Sequence, residues 1–109
     1  MDFQQILERA REIKKKFNDL EIKTCGKKWG TAEYIQGMAV DFGELSELIM
    51  AKNGLRKYRG ESIDNDLAHE LSDLLWSVIA ISDELKIDIT KEYFKSMDNI
   101  EKRLDTDNY

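Results

Sequence analysis

The chain has 109 residues, enough for one domain, and its 17 basic and 22 acidic residues give a net charge of −5. This acidic balance offers nucleic acid no basic field, and no apolar run approaches the roughly 20 residues that would span a bilayer. The single cysteine, Cys25, excludes an internal disulfide and a cysteine-based zinc cluster. The N-terminus carries no apolar region typical of a signal peptide, so we expect a cytoplasmic protein with neither nucleic acid nor membrane as partner. Because proline is absent and 36% of residues are charged, we predict an all-α fold.

The first predicted helix covers about residues 2–18, where apolar residues recur every three or four positions and form one stripe. Its N-cap is predicted at Asp2, whose short carboxylate can accept a backbone N–H of the first turn. A polar connection is predicted over residues 19–30, the least regular part of the chain.

The second predicted helix has Thr31 as its N-cap and ends near Asn53 and Gly54, a residue pair that commonly stops a helix. Four apolar residues share one narrow arc of its helical wheel, which we predict to face the core: Met38, Phe42, Leu45 and Ile49. The angle between an acidic residue of this helix and that arc therefore indicates whether its side chain borders the core or faces solvent.

A basic loop over residues 54–60 leads to the third predicted helix, which begins between Ser62 and Asp66 and runs to about Lys86. The centre of this helix is apolar on nearly every side, and a helix that is apolar all round is buried all round. One bundle of this length rarely covers every face of a helix. We therefore predict that a second copy covers part of it, in a homodimer or a homotetramer.

The fourth predicted helix is capped by Asp88 or Thr90 and carries an apolar stripe. That stripe consists of Tyr93, Met97, Ile100 and Leu104. Residues 105–109 are predicted as a frayed tail. The whole chain, residues 1–109, is thus predicted to be a single domain of four helices, with the second and third forming an antiparallel pair.

Two pairs of carboxylates stand out, Asp41 with Glu44 and Glu70 with Asp73. Residues three apart lie on one face of a helix, so two helices that bring these faces together create a dense negative cluster. No lysine or arginine occurs within residues 69–85 to neutralise it. A bound divalent cation with oxygen ligands, Mg²⁺ first among them, would stabilise the cluster.

Two other interpretations of these acidic residues compete with a magnesium site. Taken singly, each carboxylate pair is more often a solvated helix face than a ligand set. His69 lies three residues after Asp66 and imitates half of a di-iron motif, but such sites need two histidines and the chain has one.

With their flanks, these carboxylates resemble the MazG-like, all-α nucleoside triphosphate pyrophosphohydrolases. The signature of that family is E-x-x-E, a variable gap and then E-x-x-D. Here it reads Asp41-x-x-Glu44 and Glu70-x-x-Asp73. The segments GELSEL, ELSDLLWSVIAISDELKIDI and KSMDNIEKR also resemble family motifs, and the likeness extends from Trp29 to Arg103.

The resemblance implies that the four signature residues coordinate Mg²⁺, for which Mn²⁺ can substitute. Such an enzyme hydrolyses a (d)NTP to a (d)NMP and pyrophosphate and keeps the nucleotide pool clean. The resemblance also implies a four-helix MazG-like bundle assembled as a dimer or a dimer of dimers. Substrate-binding roles are implied for five further residues: Trp29, Lys52, Lys95, Asn99 and Arg103. Trp29 is equally well interpreted as a packing residue, and Trp76 is interpreted as core or interface.

The chain departs from the family pattern in three places. Asp41 is one methylene shorter than the usual glutamate, and Val40 replaces a second glutamate that can act as base. The general base is therefore unassigned, with Glu47 a candidate although it lies nearly opposite the apolar arc. Lys95 and Asn99 are one position out of register. These departures leave a second interpretation open, a non-catalytic helical module that binds nucleotide or metal.

The basic loop between the second and third helices has two interpretations as well. Its cationic residues are Arg56, Lys57 and Arg59. The favoured interpretation is a solvated loop, and the alternative is a clamp that binds phosphates.

Overall fold

A computed structural model describes residues 1–106, which form four α-helices and no β-strand. The helices are α1 (Phe3–Cys25), α2 (Thr31–Lys52), α3 (Ile63–Glu84) and α4 (Ile89–Asp105). The prediction of an all-α chain with four helices is confirmed. Of the tail predicted to fray, Asp105 is still helical and Thr106 is the C-cap, while residues 107–109 lie outside the described part of the chain.

Three helices begin at side chains that cap them. Asp2 accepts the N–H of Gln5 while the Gln5 side chain accepts the N–H of Asp2, a reciprocal capping box that confirms the predicted start of α1. Ser62 accepts from Asn65 at the start of α3. Asp88 accepts from Lys91 at the start of α4, so Asp88 and not Thr90 is the cap of that helix.

The ends of α2 follow the sequence prediction closely but not completely. The N-cap is Gly30 and not Thr31, which is already the first helical residue. At the other end the C-cap is Asn53, and Gly54 follows with φ of 78°, a left-handed conformation that favours glycine.

Helix α1 is a full two turns longer than predicted, so the polar connection predicted over residues 19–30 is wrong for its first part. The helix continues to Cys25 and stops at Gly26, which has φ of 81°. Apolar spacing reports which face of a helix is buried, and here Leu20 and Ile22 are exposed. The helix therefore persists beyond its apolar stripe, since no glycine or proline interrupts it before Gly26.

Helices α2 and α3 form the main packing pair and run antiparallel, as predicted. Near the start of α2, the Tyr34 ring contacts Trp76 of α3 with centroids 5.8 Å apart. At the far end of α2, the Lys52 ammonium pairs with Asp64 in the first turn of α3. Rising numbers in α2 therefore meet falling numbers in α3, and this places the first carboxylate pair opposite the second.

Helix α1 packs on the C-terminal half of α3. Leu7, Ala10 and Ile79 are buried together there. The Trp76 indole N–H donates to the carbonyl of Ala10 at 3.2 Å, and the Trp76 ring contacts Phe17 edge to face. Trp76 thereby joins α1, α2 and α3 and packs, partly buried, against this core, in agreement with its prediction as a core or interface residue.

A buried ion-pair cluster strengthens the α1–α3 contact. The Lys14 side chain is only 10% exposed, and its Nζ lies 3.0 Å from Asp83 and 2.8 Å from Glu84. Arg11 also pairs with Asp83, at 3.3 Å. Burial alone would raise the pKa of Asp83, but the hydrogen bonds and charges of Lys14 and Arg11 outweigh it and lower that pKa.

The fold is open, because the radius of gyration is 17.2 Å whereas a compact chain of this length has about 13 Å. No residue of α4 is buried. On α2, Leu45 is buried as predicted, but Phe42 is 65% exposed and Ile49 is also exposed, so the predicted core-facing arc is wrong for these two within one chain. Likewise Leu71 and Leu75 of α3 are exposed, so this chain alone does not bury that helix on every side.

We expect Lys14→Ala to lower the free energy of unfolding by about 2 kcal/mol, because it leaves two partly buried carboxylates without their cation. Urea denaturation followed by circular dichroism measures the change. Lys15→Ala, at the exposed neighbouring position, is the matched control and should change stability by less than about 0.5 kcal/mol. Equal effects of the two substitutions would contradict a structural role for the buried cluster.

Candidate functional site

Three carboxylates meet on the seam between α2 and α3. Asp41 and Glu44 lie one turn apart on α2, and Glu70 faces them from α3. One oxygen from each lies within 4.8 Å of the others. The antiparallel pairing of the helices therefore brings together three of the four predicted metal ligands, which we call the carboxylate cluster.

Asp73, the fourth predicted ligand, lies beside the cluster but outside it. Its Oδ2 is 3.2 Å from Nε2 of His69, one turn earlier on α3. The negative charge of Asp73 nevertheless contributes to raising the pKa of both Asp41 and Glu70, so the four groups share one electrostatic environment. This contact of His69 with Asp73 was not anticipated from the sequence, although their spacing of four residues permits it.

Glu70 is the most perturbed member of the cluster. Its pKa is raised to about 7 by burial, by a hydrogen bond shared with Glu44 and by the charges of its acidic neighbours. The pKa of Asp41 is raised as well, by burial and then by the charges of Asp73 and Glu44. The ionised cluster is thus unstable unless protons or cations neutralise it.

One buried oxygen atom of the cluster has no hydrogen-bond partner in the part of the chain that the structure describes, which agrees with the instability of the ionised carboxylates. Oε2 of Glu70 is buried and has no hydrogen-bond partner among the described residues. No lysine or arginine of residues 1–106 forms an ion pair with Asp41, Glu44 or Glu70. Carboxylate oxygens with an unsatisfied buried member suit a hard divalent cation, so the residues present fit Mg²⁺ or Mn²⁺.

An aromatic cavity of about 600 Å³ opens on one side of the cluster. Asp41 and Asp73 lie at its edge, and Trp29 and Trp76 line it. Trp29 is 41% exposed and stands edge to face against Tyr34, with centroids 5.7 Å apart. Its backbone N–H donates to the Glu21 carboxylate at 2.8 Å, which anchors it just before α2.

Tyr34 is a functional candidate that sequence reasoning missed. It is the most deeply buried large side chain, at 1% exposure, and it lines the aromatic cavity. Its hydroxyl donates to Asn18 at 3.3 Å. The aromatic residue lies five positions after Trp29, and that spacing by itself gave no sign of shared packing.

A second cavity of about 340 Å³, which we call the loop-side cavity, opens on the opposite side of the cluster. Glu44 and Glu70 form one wall, and the loop residues Arg56, Lys57 and Tyr58 form another. Glu47 also lines it, with a side chain that is 65% exposed and paired with Arg56 at 3.3 Å. The candidate base therefore lies near the cluster without belonging to it.

The remaining predicted substrate-binding residues lie apart from the cluster in this chain. Lys52 is exposed and paired with Asp64. Lys95, Asn99 and Arg103 lie exposed on α4. Within residues 1–106, the linings of the two cavities beside the cluster include none of these four.

The comparisons with known proteins give no relative from which a role for the site could be taken. No protein-family model, curated protein or solved structure matches the chain. Within the described residues, none of the helices has the length and apolar character needed to cross a bilayer. The arrangement that does stand out is a carboxylate cluster suited to a divalent cation, with an aromatic cavity on one side and, on the other, the loop-side cavity that includes Arg56 and Lys57.

The raised pKa of Glu70 predicts how pH affects the metal-free protein and its metal binding. A carboxyl whose pKa rises from 4.5 to about 7 on folding holds its proton more tightly when folded, so the free energy of unfolding falls as pH rises through that window. Proton competition for the Glu70 carboxylate is relieved as pH rises through its folded pKa of about 7, so affinity for Mg²⁺ or Mn²⁺ should increase from about pH 6 to about pH 8. Calorimetric titration measures the second effect.

Glu70→Gln tests both consequences in one variant. In metal-free protein near pH 8 it should raise the free energy of unfolding by about 1 kcal/mol, because the buried charge is removed. It should also weaken binding of Mn²⁺ at least about tenfold. Glu61→Gln, at an exposed position in the preceding loop, is the control and should change neither quantity appreciably. A Glu70→Gln protein that binds Mn²⁺ like the parent would exclude Glu70 as a ligand.

Proposed function

We propose that the protein is a Mg²⁺-dependent nucleoside triphosphate pyrophosphohydrolase of the MazG-like family, converting a (d)NTP and water into a (d)NMP and pyrophosphate. The observation that supports it most strongly is the carboxylate cluster of α2 and α3, with the buried, unpartnered oxygen of Glu70. The resemblance of residues 41–44 and 70–73 to the family signature supports the same function.

In this proposal Asp41, Glu44 and Glu70 hold the ion, and Asp73 completes the set directly or through a bound water. When bound, Mg²⁺ neutralises phosphate charge and lowers the pKa of a coordinated water. Water oxygen attacks the α-phosphorus, the bond from that phosphorus to the bridging oxygen breaks, and pyrophosphate leaves. Glu47 is the candidate acceptor for the water proton because it lies near the cluster without belonging to it.

The two cavities give the proposal a substrate orientation. The aromatic side chains Trp29, Tyr34 and Trp76 provide a largely apolar surface for a nucleobase. Its volume of about 600 Å³ lies within the usual range of about 300–1,000 Å³ for small-molecule sites. An enzyme that removes unwanted nucleotides from the pool works where those nucleotides are, which makes the cytoplasm its proposed location.

The rival proposal is a non-catalytic helical module that binds nucleotide or metal. It is favoured by the shortened Asp41, by Val40 in place of a glutamate and by the position of the α4 residues, which lie apart from the cluster in one chain. Such a module binds Mn²⁺ or a nucleotide but releases no pyrophosphate.

Measuring pyrophosphate release across a panel of NTPs and dNTPs in the presence of Mg²⁺ separates the two proposals. The parent protein should release pyrophosphate from at least one nucleotide, and Glu70→Gln should reduce kcat/KM at least about a hundredfold. Glu47→Gln, if Glu47 is the base, should reduce kcat while leaving Mn²⁺ affinity unchanged. Full activity of Glu70→Gln would rule out the site; metal binding without turnover by the parent would favour the module.

We further propose that the protein is a homodimer or a homotetramer in solution. Exposed apolar side chains occur on both α3 and α4, and a cavity of about 570 Å³ lies between these helices and Phe3. A second apolar cavity lies where Ile35 and Phe42 of α2 meet α3. Such contiguous apolar surface is unusual on a monomer. Lys95, Asn99 and Arg103 would contribute to substrate binding only if assembly brings an α4 against the carboxylate cluster.

Size-exclusion chromatography with light scattering should give a mass of at least twice the 12.7 kDa of one chain. Phe42→Asp should shift the protein toward monomer, because it places a charge where an apolar contact with the second copy is proposed. Lys57 does not line the apolar cavity beside Phe42 and is exposed in the loop after α2, so a substitution there serves as control. A stable monomer near 12.7 kDa for the parent would overturn the proposal.

A further inference from the structure

We infer that the first half of the α2–α3 loop is a polyphosphate clamp, in which Arg56 and Lys57 hold the two terminal phosphates of a triphosphate. The inference rests on the proposed function, because it needs the metal site to hold the phosphate chain at one end. It assigns a phosphate-binding role to these two loop residues. Their ligand after hydrolysis would be the leaving pyrophosphate.

The order of groups along the α2–α3 seam supports this assignment. Asp41 lines the aromatic cavity, whereas Glu44 and Glu70 line the loop-side cavity. The carboxylate cluster therefore separates the two. A nucleotide with its base in the aromatic cavity and its α-phosphate at the cluster directs its remaining phosphates toward the loop.

The lining of the loop-side cavity carries the carboxylates of four residues and the cations of two, Arg56 and Lys57. Glu47 is paired with Arg56, and Asp66 accepts a hydrogen bond from the Tyr58 hydroxyl. Glu44 and Glu70 belong to the carboxylate cluster. Among the described residues Lys57 forms no ion pair, so once a divalent cation neutralises the cluster this ammonium group is the cation of the lining whose charge is not yet engaged.

Arg56 retains binding capacity despite its pairing with Glu47. A guanidinium has five N–H donors, and a single nitrogen makes the 3.3 Å contact with that carboxylate. Its planar fork suits phosphate oxygens, and Lys57 adds a compact positive charge beside it. Arg56 thus offers directional hydrogen bonds to a phosphate chain, and Lys57 offers a positive charge.

The loop is fixed on both sides of these two residues. Before them, the Leu55 N–H donates to the carbonyl of Met50 at 2.8 Å, just after Gly54 turns the chain with φ of 78°. After them, the Tyr58 hydroxyl donates to Asp66 in the first turn of α3. A side chain at position 60 would collide with the Tyr58 ring. Glycine at this position therefore allows the contact between Tyr58 and Asp66. Arg56 and Lys57 are therefore held at the cavity wall rather than on a free loop.

Arg59 provides an internal control for this assignment. It belongs to the same basic loop, carries the same charge as Arg56 and is exposed, yet the lining of the cavity does not include it. A merely solvated basic loop would make Arg56, Lys57 and Arg59 equivalent toward an anion. A clamp makes the first two important and the third dispensable.

Calorimetric binding of inorganic tripolyphosphate in the presence of Mg²⁺ tests the clamp without requiring turnover. Lys57→Ala and Arg56→Gln should each weaken binding about tenfold, and Lys57→Arg should retain most of it. Arg59→Ala should bind as the parent does. Because Lys57 is exposed and unpaired, Lys57→Ala should melt at the parent's temperature, and titration with Mn²⁺ alone should show an unchanged metal site in all four variants.

The outcomes separate failure of the clamp from failure of the proposed function. Tripolyphosphate binding that depends on Arg56 and Lys57 supports the clamp even if the parent hydrolyses no nucleotide, in which case only the proposed activity fails. Nucleotide hydrolysis with KM unchanged in Lys57→Ala and Arg56→Gln overturns the clamp and leaves the activity intact. Equal losses in Arg59→Ala and Lys57→Ala, or no binding by the parent, also overturn it.

Discussion

The contact between α2 and α3 determines the character of this protein, because it places like charges against one another in a partly buried seam. The carboxylates of Asp41, Glu44 and Glu70 approach within 4.8 Å, and one oxygen of Glu70 has no partner. Such a contact weakens the metal-free fold. Apolar packing on either side, through Tyr34 and Leu45, keeps the helices together in spite of it. The same packing prevents the carboxylates from moving apart, so a cation relieves the repulsion more readily than rearrangement does.

The seam has two unlike sides, and this asymmetry matters more for function than the cluster alone. Acidic clusters occur on many helical surfaces and bind nothing in particular. Here one side offers aromatic rings around Trp29, and the other offers the cationic pair of Arg56 and Lys57. A ligand that satisfies both sides has an apolar end, a metal-binding middle and an anionic end. A nucleoside triphosphate has these three parts in that order, which is why we propose it as the ligand rather than a simple metal ligand or a peptide.

Local chemistry was predictable from the sequence, and contacts between distant residues were not. The caps at Asp2 and Asp88 and the end of α2 at Asn53 follow from side chains that act within one turn. The meeting of Asp41, Glu44 and Glu70 was predictable too, because their spacing fixes a helix face, whereas Asp73 lies outside the cluster. By contrast, the Lys14 pairing with Asp83 joins residues almost seventy positions apart along the chain, and no periodicity marks it. The length of α1 was missed for a related reason, since apolar spacing reports burial, and α1 continues where it is no longer buried.

The proposed assembly would account both for the exposure of Phe42 and for the separation of α4 from the carboxylate cluster. A single chain leaves apolar residues of α3 exposed, Leu71 and Leu75 among them. A second copy placed against the apolar surface would cover Phe42. If its α4 also approached the cluster, it would supply cationic groups that the chain's own α4 holds away from the seam. The clamp residues differ in this respect, because Arg56 and Lys57 reach the cavity from within the same chain. The proposed metal and phosphate sites would therefore lie within one chain, while a contribution from Lys95, Asn99 and Arg103 would require the proposed assembly.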